Sequence, residues 1–217
     1  DPNGDPLPGD LLGMMYKGGV VIGVLIGLLT MTLVFAIERW IVISKASGTG
    51  NNKDFVAKVQ SLVNANQIDE AIEECDKQRG SALVKFKEVK REGFDTDKAT
   101  ETIQKEIEEA TVLEMPMLEK NMIILATLVS IGTLVGLLGT VTGMIKAFSA
   151  LATAGAPDSS ALATGISEAL MNTAMGIGTS TLAIVFYNIF TTKIDKLTHF
   201  IDEAGFAITQ SYRRHNN

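Results

Sequence analysis

Two rows of small polar side chains stand out against apolar surroundings. In one stretch Ser130, Thr133 and Thr140 fall on a single helical face at i, i+3 and i+10, with Leu137 between them at i+7. In another, Glu168, Asn172 and Thr179 share a face, with Thr173 and Ser180 beside it. A hydroxyl both donates and accepts hydrogen bonds, so such rows can serve a titrating group in either of its states. An isolated buried threonine usually satisfies itself on its own helix backbone at i−4, and a glutamate at the end of a span can snorkel into headgroups. The clustering of these groups, with a carboxylate a turn above, favours a lined cavity. The candidate pathway residues are Thr140, Thr173, Glu168, Thr133, Asn172 and Ser180.

The elements that must carry these rows are plain from the charge distribution. Residues 18–37, 121–145 and 169–192 contain no Asp, Glu, Lys, Arg or His, although 20% of the 217 residues are charged. A helix crosses a bilayer with about 20 apolar residues, so three transmembrane helices are expected. Thr140 lies about seven residues beyond the middle of the second span and Thr173 about seven before the middle of the third. With antiparallel spans both sit roughly 10 Å from the midplane on the same side. No Asp, Lys, Arg or His lies within these three stretches, so they cannot build a proton relay of their own. If the chain handles protons, another protein must supply the carboxylate that carries them.

Glycines recur at close-packing intervals: Gly19, Gly23 and Gly27 in the first span, and Gly132, Gly136, Gly139 and Gly143 in the second. The third carries Ala169 and Thr173, then Gly176 and Ser180. Lipid gives helices no hydrophobic reason to associate, so contact depends on fit and small residues permit it. Gly132, Gly136, Gly139, Gly143 and Gly176 are the expected packing positions.

Basic residues set the orientation. Arg39, Lys45 and Lys120 flank the middle segment, and Lys193, Lys196, Arg213 and Arg214 follow the third span, against only Lys17 and Lys146 on the other side. The positive-inside rule puts the N-terminus outside and the C-terminus in the cytoplasm, with Trp40 at the cytoplasmic interface. The expected organisation is a periplasmic tail over 1–17, with a possible interfacial helix around Leu11 to Tyr16, and a first span over 18–44. A cytoplasmic helical domain follows over 45–120, then a second span over 121–150, a periplasmic loop over 151–158, a third span over 159–192 and a cytoplasmic helix over 193–217.

Within the middle segment, helical pieces at 55–63, 69–77 and 82–89 are broken at 47–50, 79–81 and 92–93. Asp95 or Thr96 could cap the next helix. Ile103, Ile107, Ala110, Leu113 and Met117 then recur every three or four residues, and no stop precedes the second span, although Pro116 could kink it. One helix from Asp97 to Ala150, about 80 Å long at ~1.5 Å per residue, is expected. Ile194, Leu197, Ile201, Ala204 and Ile208 extend the third span to about Tyr212, and the two apolar stripes should pack together. The fold class is therefore all-α, a three-span membrane protein with long helices continuing into a cytoplasmic bundle.

A net charge of −6 argues against a nucleic-acid partner. The single cysteine, Cys75, excludes an internal disulfide and a cysteine metal cluster, and His199 and His215 show no ligand spacing. No metal, cofactor, nucleophile–base set or phosphate loop is found, so an enzyme is not expected. A lone secondary transporter is disfavoured by three spans without an inverted repeat, and a passive scaffold by the polar rows. Because the sequence starts at Asp1 rather than Met, removal of an upstream segment is expected.

The motifs themselves carry a resemblance. Gly136-Leu137-Leu138-Gly139-Thr140-Val141-Thr142-Gly143-Met144 resembles the signature of the ExbB/TolQ/MotA proton-channel family. The run Gly165-Ile166-Ser167-Glu168-Ala169-Leu170-Met171-Asn172-Thr173-Ala174-Met175-Gly176 is similar to its second block, and Tyr187-Asn188 to the end of that helix. The prolines common before the first block and in the third span are absent, with Gly132-Thr133 standing at the first place. The chain looks most similar to ExbB members, with TolQ members next. The resemblance implies a homo-pentameric ring in the bacterial inner membrane, its second and third spans around a pore that holds a dimer of an ExbD-like single-span partner. It also implies that Thr140 and Thr173 are pore threonines and Glu168 the pore glutamate, and that proton-motive force is turned into work on a TonB-like transducer. That transducer energises siderophore and cobalamin import. A TolQ-type role in outer-membrane integrity, with TolR and TolA, is the alternative.

Overall fold

The computed structural model describes residues 19–47, 52–65, 67, 70–71, 73–74, 96–153 and 159–216. The expected interfacial helix at 11–16, the breaks at 48–50, 79–81 and 92–93, the helical piece at 82–89, Cys75 and most of the 151–158 loop lie outside the described residues. So do the side chains of Ile103, Ile107, Ala110, Ile208, Tyr212 and His215.

Among the described residues all regular structure is helical. The helices are α1 (Gly19–Ala46), α2 (Asn52–Asn64), α3 (Thr96–Glu119), α4 (Met122–Thr153) and α5 (Ser159–Asn216). Three stretches of helix are long and apolar enough to cross a membrane: Gly19–Ala46, Thr111–Ala152 and Ser160–Ser211. Their surfaces suit lipid or further protein rather than water, with Val20, Ile123, Leu134 and Leu170 all largely exposed.

The chain divides into two compact units. The first comprises residues up to Glu38 together with Asn121–Ile189, and the second comprises Arg39–Lys120 and Phe190–Asn217. In the first unit, α4 and α5 pack through the glycine positions, and Leu25, Leu125 and Ala183 are fully buried. Gly19 opens α1 at φ +69°, a left-handed conformation that a side chain would strain.

The expected unbroken helix from Asp97 to Ala150 is corrected by the structure. α3 stops at Glu119, and Asn121 adopts φ 66° before α4 begins. Asparagine tolerates the left-handed region better than most residues and often ends helices there. Its carbonyl then accepts from Ile124 and Leu125 N–H at 3.2 and 3.3 Å, starting the next helix, while its Nδ2 donates to Glu38 at 3.4 Å. Pro116, expected to be able to kink the chain, is contained within α3.

In the second unit, the end of α3 is closed by a buried arginine. Arg39, 2% exposed, donates from Nη1 to the carbonyls of Met117 (3.3 Å) and Leu118 (3.2 Å). These belong to the last helical turn, whose carbonyls lack helical partners and attract positive charge. Arg39→Ala should therefore cost about 1.5–3 kcal/mol, the scale of hydrogen bonds to a charged group, read as a lower melting temperature in detergent.

The α5 stripe is buried at Ile194, Leu197 and Ala204. The face that α3 turns inward differs from the expected one: Leu113 and Met117 are both 61% exposed, whereas Leu118 is buried and Met115 Sδ accepts from Thr198 Oγ1 at 2.9 Å. The apolar row of α3 is wider than one face, and the periodicity alone did not select which edge of it packs. Trp40 packs edge-on against Phe190 (centroids 6.4 Å apart, 69°), with Lys193 Nζ 3.9 Å from its ring centroid, a cation–π contact. A smaller cluster joins Val59, Val63 and Ala71 with Phe55 and Leu62, flanked by a Lys58–Glu74 ion pair at 2.7 Å.

Candidate functional site

α4 and α5 run so close that only glycine fits between them. A Cβ on Gly176 would lie 2.7 Å from the Gly132 carbonyl oxygen and from Gly136 Cα. One on Gly143 would lie 2.9 Å from Ala169, and one on Gly132 2.7 Å from Ser180 Oγ. This seam brings the polar rows of the two helices together in pairs.

The Thr140 and Thr173 hydroxyls hydrogen-bond to one another. Thr140 Oγ1 also reaches the carbonyls of Gly136 (3.3 Å) and Ala169 (3.4 Å), and Thr173 Oγ1 reaches the same Ala169 carbonyl at 3.3 Å. Both residues are half-buried. Two turns along, Thr133 Oγ1 donates to Ser180 Oγ at 2.9 Å. Thr133 is exposed, whereas Ser180 is buried. By contrast Thr179, fully buried, bonds only its own helix at the Met175 carbonyl among the contacts resolved here, as Thr32 does at Leu28.

At the other end of the seam, Glu168 Oε1 accepts from Lys146 Nζ at 2.8 Å, the Glu168 side chain being 10% exposed and that of Lys146 60%. Glu168 also covers the bare Cα of Gly19. Asn172 is fully buried against Gly139, and neither its Nδ2 nor its Oδ1 has a hydrogen-bond partner among the described residues. The six sequence-derived candidates thus lie on one pair of helices. Thr140 with Thr173, and Thr133 with Ser180, are directly bonded; Glu168 is engaged by a lysine; Asn172 faces into the seam.

Sequence reasoning missed Lys146 as a partner of Glu168. A signal was present, since on antiparallel helices each step forward on α4 is a step back on α5. Once Thr140 is level with Thr173, Lys146 falls level with Ser167, next to Glu168. Gly23, Gly27 and Gly178, in contrast, meet nothing within 4 Å of a built Cβ. They do not serve the seam.

This constellation lies inside the region that matches the MotA/TolQ/ExbB proton channel family, which extends over residues 61–203, more than half of the chain. The chain belongs to that family. Relatives within it include the Tol-Pal system protein TolQ of Haemophilus influenzae, 30% identical over 211 residues that cover 89% of this chain and 91% of that protein. The biopolymer transport protein ExbB-like 3 of Synechocystis is 34% identical over 110 residues (50% of this chain, 52% of that protein). TolQ of Pseudomonas aeruginosa is 35% identical over 116 residues (52% and 50%). The chain therefore spans about half the length of these last two. The family is one of membrane proton-channel proteins, and both ExbB and TolQ names occur among these relatives.

Proposed function

We propose that this chain is the channel-forming subunit of an inner-membrane complex that converts proton-motive force into mechanical work on a TonB-like transducer of outer-membrane import. The observation that carries this reading is the Thr140–Thr173 hydroxyl pair, placed in a seam with no aspartate or histidine of its own. Such a wall can solvate a titrating acid but cannot be one. The proton carrier is then a membrane carboxyl on an ExbD-like single-span partner, held as a dimer within a homo-pentamer of this chain. The distribution of lysine and arginine supports an outside N-terminus and a cytoplasmic C-terminus.

Moving one charge through the membrane field is worth about 2.3 kcal/mol per 100 mV. Protonating the partner's acid removes its charge and allows passage along the apolar wall, while the threonine hydroxyls bond either protonation state. Five equal walls cannot all match two guest helices, so each protonation and release advances the guests to the next wall. Reconstituted in liposomes, the chain should pass protons only with its partner, in an assembly of five copies by native mass spectrometry. Efficient conduction by the chain alone would overturn the reading.

A TolQ-type role is the second reading, favoured by the near full-length match to the Haemophilus influenzae protein. Pull-down of the transducer, TonB-like or TolA-like, separates the two.

A further inference from the structure

Lys146 is the charged group that touches Glu168, across the outer end of the seam. The carboxylate is nearly enclosed, with its side chain 10% exposed and the bare Cα of Gly19 beneath it, and one of its oxygens is occupied by the ammonium. Lys146 itself is 60% exposed on a flexible stem, so it can leave without disturbing α4. A buried acceptor held by a mobile donor is easily opened from the donor's side.

We propose that Lys146 is a positioning residue for Glu168, an intrachain latch that keeps the carboxylate engaged in the assembled complex and is displaced only while a moving partner helix passes it. The proposal rests on the reading of Glu168 as a group beside the proton path. While the latch is closed, one oxygen of the Glu168 carboxylate is occupied by the Lys146 ammonium. The hydroxyl pairs of the seam are unaffected by its opening, because their bonds run between α4 and α5 further along.

The test uses the assembled complex in liposomes and two readouts. Labelling of Glu168 by dicyclohexylcarbodiimide, followed by mass spectrometry, should be up to about fivefold faster in Lys146→Met. That factor corresponds to ~1 kcal/mol, the upper end for a solvent-accessible ion pair. Lys146→Arg should label like wild type. Resting proton leak should rise by a similar factor in Lys146→Met, and adding that change to Glu168→Gln should have no further effect. Equal labelling of Lys146→Met and wild type, or the same rise in leak on the Glu168→Gln background, overturns the latch. Should Lys146→Met fail to assemble, Lys146→Gln carries the same comparison. Faster labelling in a complex whose wild type moves no protons would overturn the proposed function and leave the latch standing.

Discussion

Replacing both Thr140 and Thr173 by alanine should abolish energised uptake while leaving the assembly intact. The two hydroxyls bond one another and share the Ala169 carbonyl, so a single alanine leaves the remaining hydroxyl with a backbone acceptor and some polar character. Removing both leaves an apolar wall at the one level where the two helices present facing hydroxyls on half-buried threonines. A partner carboxylate facing that wall before it is protonated would lose its hydrogen bonds, each worth about 1.5–3 kcal/mol when one group is charged. At 1.4 kcal/mol per tenfold, that range alone slows passage about 10- to 100-fold. The glycine contacts of the seam do not involve either hydroxyl, so assembly should survive. Growth of the double variant on a scarce iron-siderophore source, at the wild-type rate, would remove these hydroxyls from the pathway.

The second large effect is expected at Gly176. Gly176→Ala would set a methyl 2.7 Å from two backbone atoms, the Gly132 oxygen and Gly136 Cα. Backbone cannot swing aside as a side-chain tip can, so the helices must part. Overpacking of this kind costs about 1–3 kcal/mol, and separation would also stretch the Thr133–Ser180 and Thr140–Thr173 bonds. Thermal unfolding in detergent should show a clear loss of stability. Gly178→Ala, two residues on and with nothing within 4 Å, should unfold with the wild type. Equal melting of both variants would mean that α4 and α5 are not held as tightly as their contacts imply.

The contrast between Gly176 and Gly178 marks how far the sequence could be read. The three spans were legible because charge is excluded over stretches long enough to cross lipid, a constraint that acts on every residue. The level of Thr140 and Thr173 followed from counting along antiparallel helices, and their hydroxyls do meet. What was illegible was the side on which each polar group sits. Glu168, Asn172 and Thr179, at intervals of four and seven, share a face of α5 with Ser180 beside it, but the intervals do not fix what that face meets. The structure turns Asn172 and Ser180 toward α4 rather than leaving them open. The end of α3 was missed because Asn121 is neither glycine nor proline, and its left-handed turn leaves little mark in composition. Arg39, read only as an orientation charge, closes that helix end. Its role depends on a contact about eighty residues distant in sequence, beyond the reach of local pattern.

Asn172 bears on how the seam responds to load. An amide buried with both ends unbonded raises the energy of the arrangement by about 1–3 kcal/mol for each orphaned group, and nothing in the adjacent glycine offers compensation. A slight axial slip of α5 that brought a carbonyl or an N–H within reach would recover part of that energy. At Asn172 itself such a slip breaks no side-chain hydrogen bond among the described residues, unlike at Thr140–Thr173 and Thr133–Ser180.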